Sequence, residues 1–296
     1  MSLGVLNNLS ATYAENALNN TNSSLQTVLE QLSTGSKINS GADDPAGLSL
    51  VNGLQANQTA LTQSATNATE GVGLLQVADG ALSQVTSLLN RAVTLATEAS
   101  NGTLNASQAT AANAEYQSIL GEISNIGATT TYNQTAVFGS ATGVQIYTGD
   151  SSTVGASTNT LSLGDLSDAS LGFSASTVAY AANAFTATNT AGNDLSATDL
   201  TSTANAQTAL TDLNTSIADV SLQDGYVGSQ INTLNAISSV ESTQQENIQS
   251  AQNAIQATDY GQATSNLSKY EILSQTGISA LAQANSVQQE VTKLLQ

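Results

Sequence analysis

The chain has 296 residues, of which 22 are Asp or Glu and only 4 are Lys or Arg, so its formal net charge is −18. This balance excludes a basic surface for nucleic acid or anionic lipid, because both kinds of binding need clustered cations. The absence of Cys and His excludes disulfides and removes the commonest metal ligand and general base, while a single Pro and 4% aromatic residues favour long helices.

The two ends of the chain carry the same kind of pattern. Helical stretches are predicted from about Ser10 to Leu32 and from about Ala263 to Gln296, with apolar residues at steps of three, four and seven. This spacing places a narrow apolar stripe on one side of each helix, as in a coiled-coil seam. Since each stripe needs a partner, we expect the terminal helices to pair side by side. The predicted seam residues are Leu25, Val28, Leu32, Leu273, Ile278, Leu281, Val291 and Leu294.

The segment after the first helix has the features of a connector. Glycines interrupt the helical pattern from position 35, and an acidic pair followed by Pro45 is typical of a helix start. Adjacent acids there are far more often caps that favour the helix dipole than catalytic carboxylates. An ordinary loop is the alternative interpretation of the glycines. The predicted connector residues are Gly35, Gly41, Asp43, Asp44 and Gly47.

The middle of the chain predicts further helices around a β segment. Residues 45–100 keep a seven-residue apolar repeat, and a shorter helix is predicted over 107–126. Alternating apolar residues after position 129 indicate β-hairpins. Residues 173–199 are rich in Ala, Thr and Asn and are predicted to form a surface loop, after which helical spacing returns over 210–248.

Together these elements predict a mainly α fold. The expected architecture is a long antiparallel helical hairpin, or coiled-coil rod, with a small β-hairpin insert at the far end. We expect an inner core domain of residues 1–44 and 255–296 and an outer core domain of residues 45–172 and 200–254, with 173–199 as the surface loop.

Four segments of this sequence resemble bacterial flagellins. They are QLSTGSKINSGADDPAG (31–47), LNRAVTLATEASNGT (89–103), TYNQTAVFG (131–139) and the last forty residues from ATDYGQ at 257. The likeness covers roughly 1–172 and 205–296, and a large variable outer domain is missing. The chain is therefore similar to a short flagellin that has only the two core layers.

The resemblance implies a structural subunit of the flagellar filament, which assembles with its own copies into a helical tube for swimming motility. It also implies an extracellular location reached by type III export without a cleaved signal peptide. The partners it implies are an export chaperone, the filament cap and hook-junction proteins. Arg91, Leu95 and Glu115 match positions that Toll-like receptor five contacts in recognised flagellins and that also serve subunit contacts.

Other classes of protein fit less well. A hook–filament junction protein shares the terminal helices but would be expected to lack the strong match at SALAQANSVQQEVTKLLQ, and a coiled-coil adhesin would need an export signal. An enzyme is disfavoured, because the sequence shows no phosphate-cradling Gly loop and no carboxylate constellation. We therefore predict no catalytic residue, cofactor or metal, and no nucleic-acid or membrane partner.

Overall fold

The computed structural model describes residues 8–139, 143–149, 157–181 and 184–294. Helices account for most of them, so the predicted mainly α class is confirmed. The helices are α1 (Leu9–Thr34), α2 (Pro45–Ser100), α3 (Ala106–Thr129), α4 (Thr203–Gln256) and α5 (Tyr260–Leu294). The strands are β1 (Thr131–Tyr132), β2 (Thr135–Ala136), β3 (Val144–Thr148), β4 (Ser157–Leu161), β5 (Leu166–Ser167), β6 (Ser170–Ala181) and β7 (Ala184–Asn193).

Local polar groups fix several helix ends. Asn8 caps α1 by accepting the N–H of Ala11 at 3.0 Å, and Asn105 caps α3 in a reciprocal pair with Gln108. After α1 the chain turns at Gly35, whose φ of 72° lies in the left-handed region that favours glycine. These helices therefore begin and end where a side chain or a turn satisfies the terminal N–H and C=O groups.

The chain divides into two compact units. The first comprises Met1–Ala56 with Asn247–Gln296, and the second comprises Asn57–Glu246. The predicted domain boundaries fall at helix ends, whereas these divisions lie inside α2 and α4. A continuous helix carries no sequence signal at the point where its packing partners change. The apolar pattern therefore places the predicted domain boundaries at the ends of the helices.

In the first unit the two terminal helices pair antiparallel, as predicted. The side-chain amide of Asn8 donates to the carbonyl of Ala284 at 3.0 Å, and the hydroxyl of Ser274 donates to the amide oxygen of Asn22 at 3.2 Å. The start of α1 therefore lies beside the second half of α5, and polar as well as apolar contacts join the helices.

The core of the second unit is formed by α2, α3 and α4. Leu82 and Leu89 of α2, Tyr116 of α3, and Leu213 and Leu234 of α4 are all fully buried. The two α2 leucines are one heptad apart, so the apolar repeat predicted for this helix marks the face that the core covers.

A five-stranded sheet with the order β3-β4-β7-β6-β5 belongs to the same unit. β6 and β7 form its longest antiparallel pair, from Leu171 opposite Asn193 to Ala181 opposite Ala184. β4 lies parallel to β7 over a short stretch and antiparallel to β3. β1 and β2 form a separate small hairpin.

The prediction of a surface loop over 173–199 is wrong. Most of that segment belongs to the β6–β7 hairpin, and Leu195 beyond it is fully buried. The segment has no clear apolar alternation, because small Ala and Thr residues occur throughout it. Strand pairing between main chains does not need such alternation, so the hairpin forms without the usual sequence signal.

A row of buried polar residues on α4 fits the helix to the β layer. Ser216, Gln223 and Gln230 follow one another at heptad spacing. The hydroxyl of Ser216 accepts a hydrogen bond from the side-chain amide of Asn193 at 3.3 Å. The side-chain amide of Gln223 donates to the carbonyl of Gly164 at 3.4 Å. The amide oxygen of Gln230 accepts from the side-chain amide of Asn159 at 3.2 Å. Each member of the row therefore contacts a different part of the β layer.

By length and composition alone, α2 could cross a membrane, since it contains an 18-residue window of mean hydropathy 1.2. A third of that window (33%) is buried inside the protein. Core helices of water-soluble proteins meet the same criterion, so this is weak evidence for a membrane span. The heptad leucines of α2 pack into the core of the second unit.

We expect Asp224→Asn to stabilise the protein at neutral pH. Burial raises the pKa of Asp224, and the neighbouring carboxyl group of Asp79 on α2 raises it further. An acid whose pKa is raised by folding favours the folded state below its unfolded pKa, and that contribution is lost as the pH rises through the folded pKa. The gain in melting temperature should therefore shrink as the pH falls towards about 4, near the ordinary pKa of Asp.

Asp194→Asn provides the opposite case, because hydrogen bonds from Ser196 lower the pKa of Asp194. That substitution should lower the melting temperature at neutral pH and have less effect in acid. Melting curves of the two variants with the same sign at neutral pH would contradict this account.

Candidate assembly surface

The predicted seam residues lie on both sides of the terminal helix pair. Val28 is buried, whereas Leu25, Leu32 and Leu281 are half-buried. Leu273 and Ile278 remain 42% and 58% exposed. The contact between α1 and α5 therefore covers only part of the predicted stripe. The last two seam residues, Val291 and Leu294, lie where side chains are outside the described residues.

In the described part of the first unit, more large apolar side chains are exposed than buried. Among its described residues, the buried apolar side chains are Val28, Ile38, Val51 and Ala263. We call the exposed set the assembly surface, because an unusual concentration of exposed apolar side chains marks an interaction site. It comprises Leu9, Tyr13, Leu29, Leu50, Tyr260, Ile272, Leu273, Ile278 and Val287.

Most of the assembly surface was not among the predicted seam residues. The sequence pattern identifies a single stripe that the partner helix should cover, and Tyr13 (68% exposed) and Ile272 (62% exposed) lie outside it. The signal that could have revealed them is the presence of large apolar residues on more than one side of a thin helix. A helix that is apolar on several sides needs more than one partner.

The two terminal helices approach closely where a glycine faces a leucine. A Cβ atom at Gly277 would lie 3.2 Å from Cδ1 of Leu18, which is a tight contact. The small residue allows the helix backbones to come together at this point. Ile278, the next residue in the sequence, remains exposed.

The connector after α1 pairs with the link between α4 and α5. The N–H of Lys37 donates to the carbonyl of Gln256 at 2.8 Å, and the N–H of Thr258 donates to the carbonyl of Gly35 at 3.0 Å. Ser36 and Ala257 thereby form an isolated antiparallel β-bridge. Sequence reasoning missed this link, because main-chain pairing of so few residues leaves no side-chain pattern.

Asp43 and Asp44 accept main-chain N–H groups in the connector and at the start of α2, respectively. Oδ2 of Asp43 accepts the N–H groups of Ser40 at 2.8 Å and Asn39 at 3.0 Å, and these bonds lower the pKa of Asp43. Oδ1 of Asp44 accepts the N–H of Gly47 at 2.9 Å. Asp44 therefore caps α2 and Asp43 stabilises the turn before it, which leaves no support for a catalytic pair.

The three connector glycines have different surroundings. Gly35 has a positive φ, and a Cβ atom there would lie 2.9 Å from the hydroxyl of Tyr260. At Gly47 a Cβ atom would lie 2.4 Å from Oδ2 of Asp44 and 2.8 Å from Cδ1 of Ile38. Gly41 has only an ordinary contact nearby. The positive φ at Gly35 and the close contacts at Gly47 favour glycine at two of the three predicted positions.

Arg91 and Glu115 form an ion pair on the surface of the second unit. Their side chains are 54% and 47% exposed, and the closest nitrogen and oxygen lie 2.6 Å apart. Leu95 is only 4% exposed and belongs to the core. Of the three residues predicted to form a receptor or subunit contact, Arg91 and Glu115 are therefore the ones at the surface.

Within the described part of the chain, no group of three or more Asp, Glu, His or Cys residues could hold a metal ion.

Comparison with known proteins places most of the chain in two family models. Residues 5–142 match the bacterial flagellin N-terminal helical region, and residues 203–295 match the bacterial flagellin C-terminal helical region. The flagellin of Listeria monocytogenes is 33% identical over 284 residues, which cover 94% of each chain. Flagellin FlaB2 of Treponema pallidum is 28% identical and covers 97% of this chain and 98% of its own.

A crystal structure of Bacillus cereus flagellin is 25% identical, with a TM-score of 0.45. It matches 59% of this chain and 88% of its own.

We expect Gly47→Ala to destabilise the start of α2. The added methyl group must displace the Asp44 cap and the buried Ile38, and overpacking of this kind typically costs about 1–3 kcal/mol. Gly53→Ala is the matched control, because nothing lies within 4 Å of a Cβ atom there. In a helix interior that change should stabilise by about 1 kcal/mol. Equal shifts in thermal unfolding of the two variants would contradict the proposed role of Gly47.

Proposed function

The chain belongs to the bacterial flagellin family, and from that premise we propose how its two ends build the flagellar filament. It is a structural subunit of the filament, is extracellular and self-assembles, and it is not an enzyme. Flagellin relatives match it over nearly its whole length, so a hook–filament junction protein is not favoured.

The assembly surface is the main support for contacts between copies of the chain. Its side chains are apolar and exposed in the single chain, and neighbouring copies of the terminal helices supply apolar surface of the same kind. Burial of one large aliphatic side chain contributes about 1.5–3 kcal/mol. Several such contacts for each subunit would stabilise a polymer strongly. We assign Leu273 and Ile278 to contacts between copies, and Val28 to the contact within one copy.

The distribution of charge supports packing through the chain ends. Residues 1–44 carry a net charge of −3 and residues 255–296 a net charge of −1, which leaves −14 for the rest of the chain. Like charges held in contact repel, whereas exposed charges farther apart than about 8 Å are largely screened at physiological ionic strength. The weakly charged ends therefore suit the inner layer of a tube, and the central segment suits the outer layer.

We infer that the two chain ends become ordered only on assembly. Ordering a residue costs about 1.5 kcal/mol of conformational entropy, and the few buried apolar side chains of the first unit offset little of that cost. Contacts with neighbouring copies supply the missing burial. Coupled folding and assembly would also let the subunit pass unfolded through an export channel, without a cleaved signal peptide.

The remaining partners are those of a filament subunit. An export chaperone would cover the assembly surface before secretion, and cap and hook-junction proteins would meet the terminal helices at the two ends of the filament. The exposed pair Arg91–Glu115 is the part of the proposed contact with Toll-like receptor five that a partner can reach. The same pair would be covered where it serves a contact between subunits.

Ile278→Gln should weaken assembly without unfolding the second unit. Loss of one buried aliphatic contact of about 1.5–3 kcal/mol corresponds to a rise in critical concentration of roughly tenfold or more. Ser279→Gln is the matched control, because Ser279 is an exposed polar neighbour on the same helix. Monomers seeded with ammonium sulfate would be examined by sedimentation and negative-stain electron microscopy. Equal critical concentrations for both variants and wild type would reject the assignment of Ile278.

Folding on assembly predicts a gain in helix content. Circular dichroism should show more helix per residue in filaments than in dilute monomers, with the difference accounted for by α1 and α5. A chain shortened to residues 45–254 lacks both helices and serves as the control: under the same seeding conditions it should neither polymerise nor gain helix content. Equal helicity of full-length monomer and polymer would reject coupled folding.

A further inference from the structure

The β6–β7 hairpin has a long open edge. β5 pairs with β6 only through Leu166 opposite Leu171 and Ser167 opposite Ser170. Among the described strands, none pairs with that side of β6 beyond Leu171. The outer edge of β6 over residues 174–181 therefore presents main-chain N–H and C=O groups that another strand could bind.

This edge lacks the features that usually prevent strand addition. Residues 170–193 contain no Asp, Glu, Lys, Arg or Pro, in a chain whose net charge is −18. Proteins normally protect exposed edges with charged side chains, proline or bulges. The one register shift in the hairpin lies between Phe173 and Ala175, at its base. The rest of the edge is uncharged and regular.

The base of the hairpin is fixed on α4, so the edge is held in place. The N–H of Asn193 donates to Oδ2 of Asp219 at 2.9 Å, and the ring of Phe173 packs edge-to-face on Tyr226 at 5.7 Å. Gly172 lies so close to α4 that a Cβ atom would come within 2.9 Å of the Asp219 backbone. A strand that is already ordered loses little entropy when it binds a partner.

We propose that the outer edge of β6, residues 174–181, is a subunit interface at which a second copy of the chain adds a strand. The proposal rests on the filament function, which places many copies of this chain side by side. An uncharged edge suits another copy in particular, because two copies of this edge can approach without repulsion between their side chains, although each chain carries a net charge of −18. Main-chain hydrogen bonds supply the affinity in this mode of binding and need no matching side chains.

The test is amide hydrogen exchange of monomers and filaments, read by mass spectrometry on peptides that span 174–181. Strand addition should slow exchange of the amides that face away from β7 by about tenfold or more in filaments, since each must open before it exchanges, whereas the alternate amides already face β7. Ala175→Lys should abolish the protection, because a lysine on an edge strand opposes pairing. Thr190→Lys is the matched control: Thr190 lies opposite Ala175, both residues are exposed, and Thr190 belongs to β7 rather than to the proposed edge of β6.

Three outcomes would overturn the interface: equal exchange in monomers and filaments, full protection in Ala175→Lys filaments, or protection of the amides facing away from β7 already in dilute monomers. The last result would mean that the chain covers its own edge. Failure of the wild-type chain to polymerise would reject the filament function as well. Normal filaments with an unprotected β6 would reject only the interface.

Discussion

The first unit depends on a contact that is too small to bury its own apolar side chains. Where α1 and α5 meet, Gly277 packs on Leu18 and polar groups such as Asn8 bind across the pair, while large apolar side chains of both helices stay exposed. A hydrophobic side chain that stays in water gives no stabilisation. The helices that hold the two ends together therefore leave large apolar side chains available for contacts with neighbouring molecules. A self-assembling subunit requires this property.

Uncharged polar groups provide most of the specific contacts. Within the described residues, Arg91 and Glu115 form a salt bridge at an exposed site, where such pairs contribute little. The contacts that position elements are instead amide, hydroxyl and main-chain hydrogen bonds, as at the β-bridge of Ser36 and Ala257. A chain with so few cations cannot rely on ion pairs. Amide and hydroxyl networks give it directional contacts that salt screens only weakly.

The sequence predicted the helices well because their signal is strong and local. Heptad leucines such as Leu82 and Leu89 identify the buried face of α2 without knowledge of the fold. The same reasoning could not show that Ile278 stays exposed in the single chain, since a stripe does not reveal which molecule covers it. The β6–β7 hairpin escaped prediction for a different reason. Its pairing rests on main-chain bonds, and its small side chains do not alternate in polarity.

The polar row on α4 constrains the number of residues in that helix. The apolar seam repeats every heptad, so on its own it would accept a shift of seven residues with all leucines still buried. Ser216, Gln223 and Gln230 do not accept such a shift, because each has its own partner in the β layer. An insertion or deletion of one heptad within the row would preserve the hydrophobic pattern but would leave buried side-chain amides without their hydrogen-bond partners. Hydrogen bonds, rather than apolar contacts, therefore fix the register of α4 against the β layer.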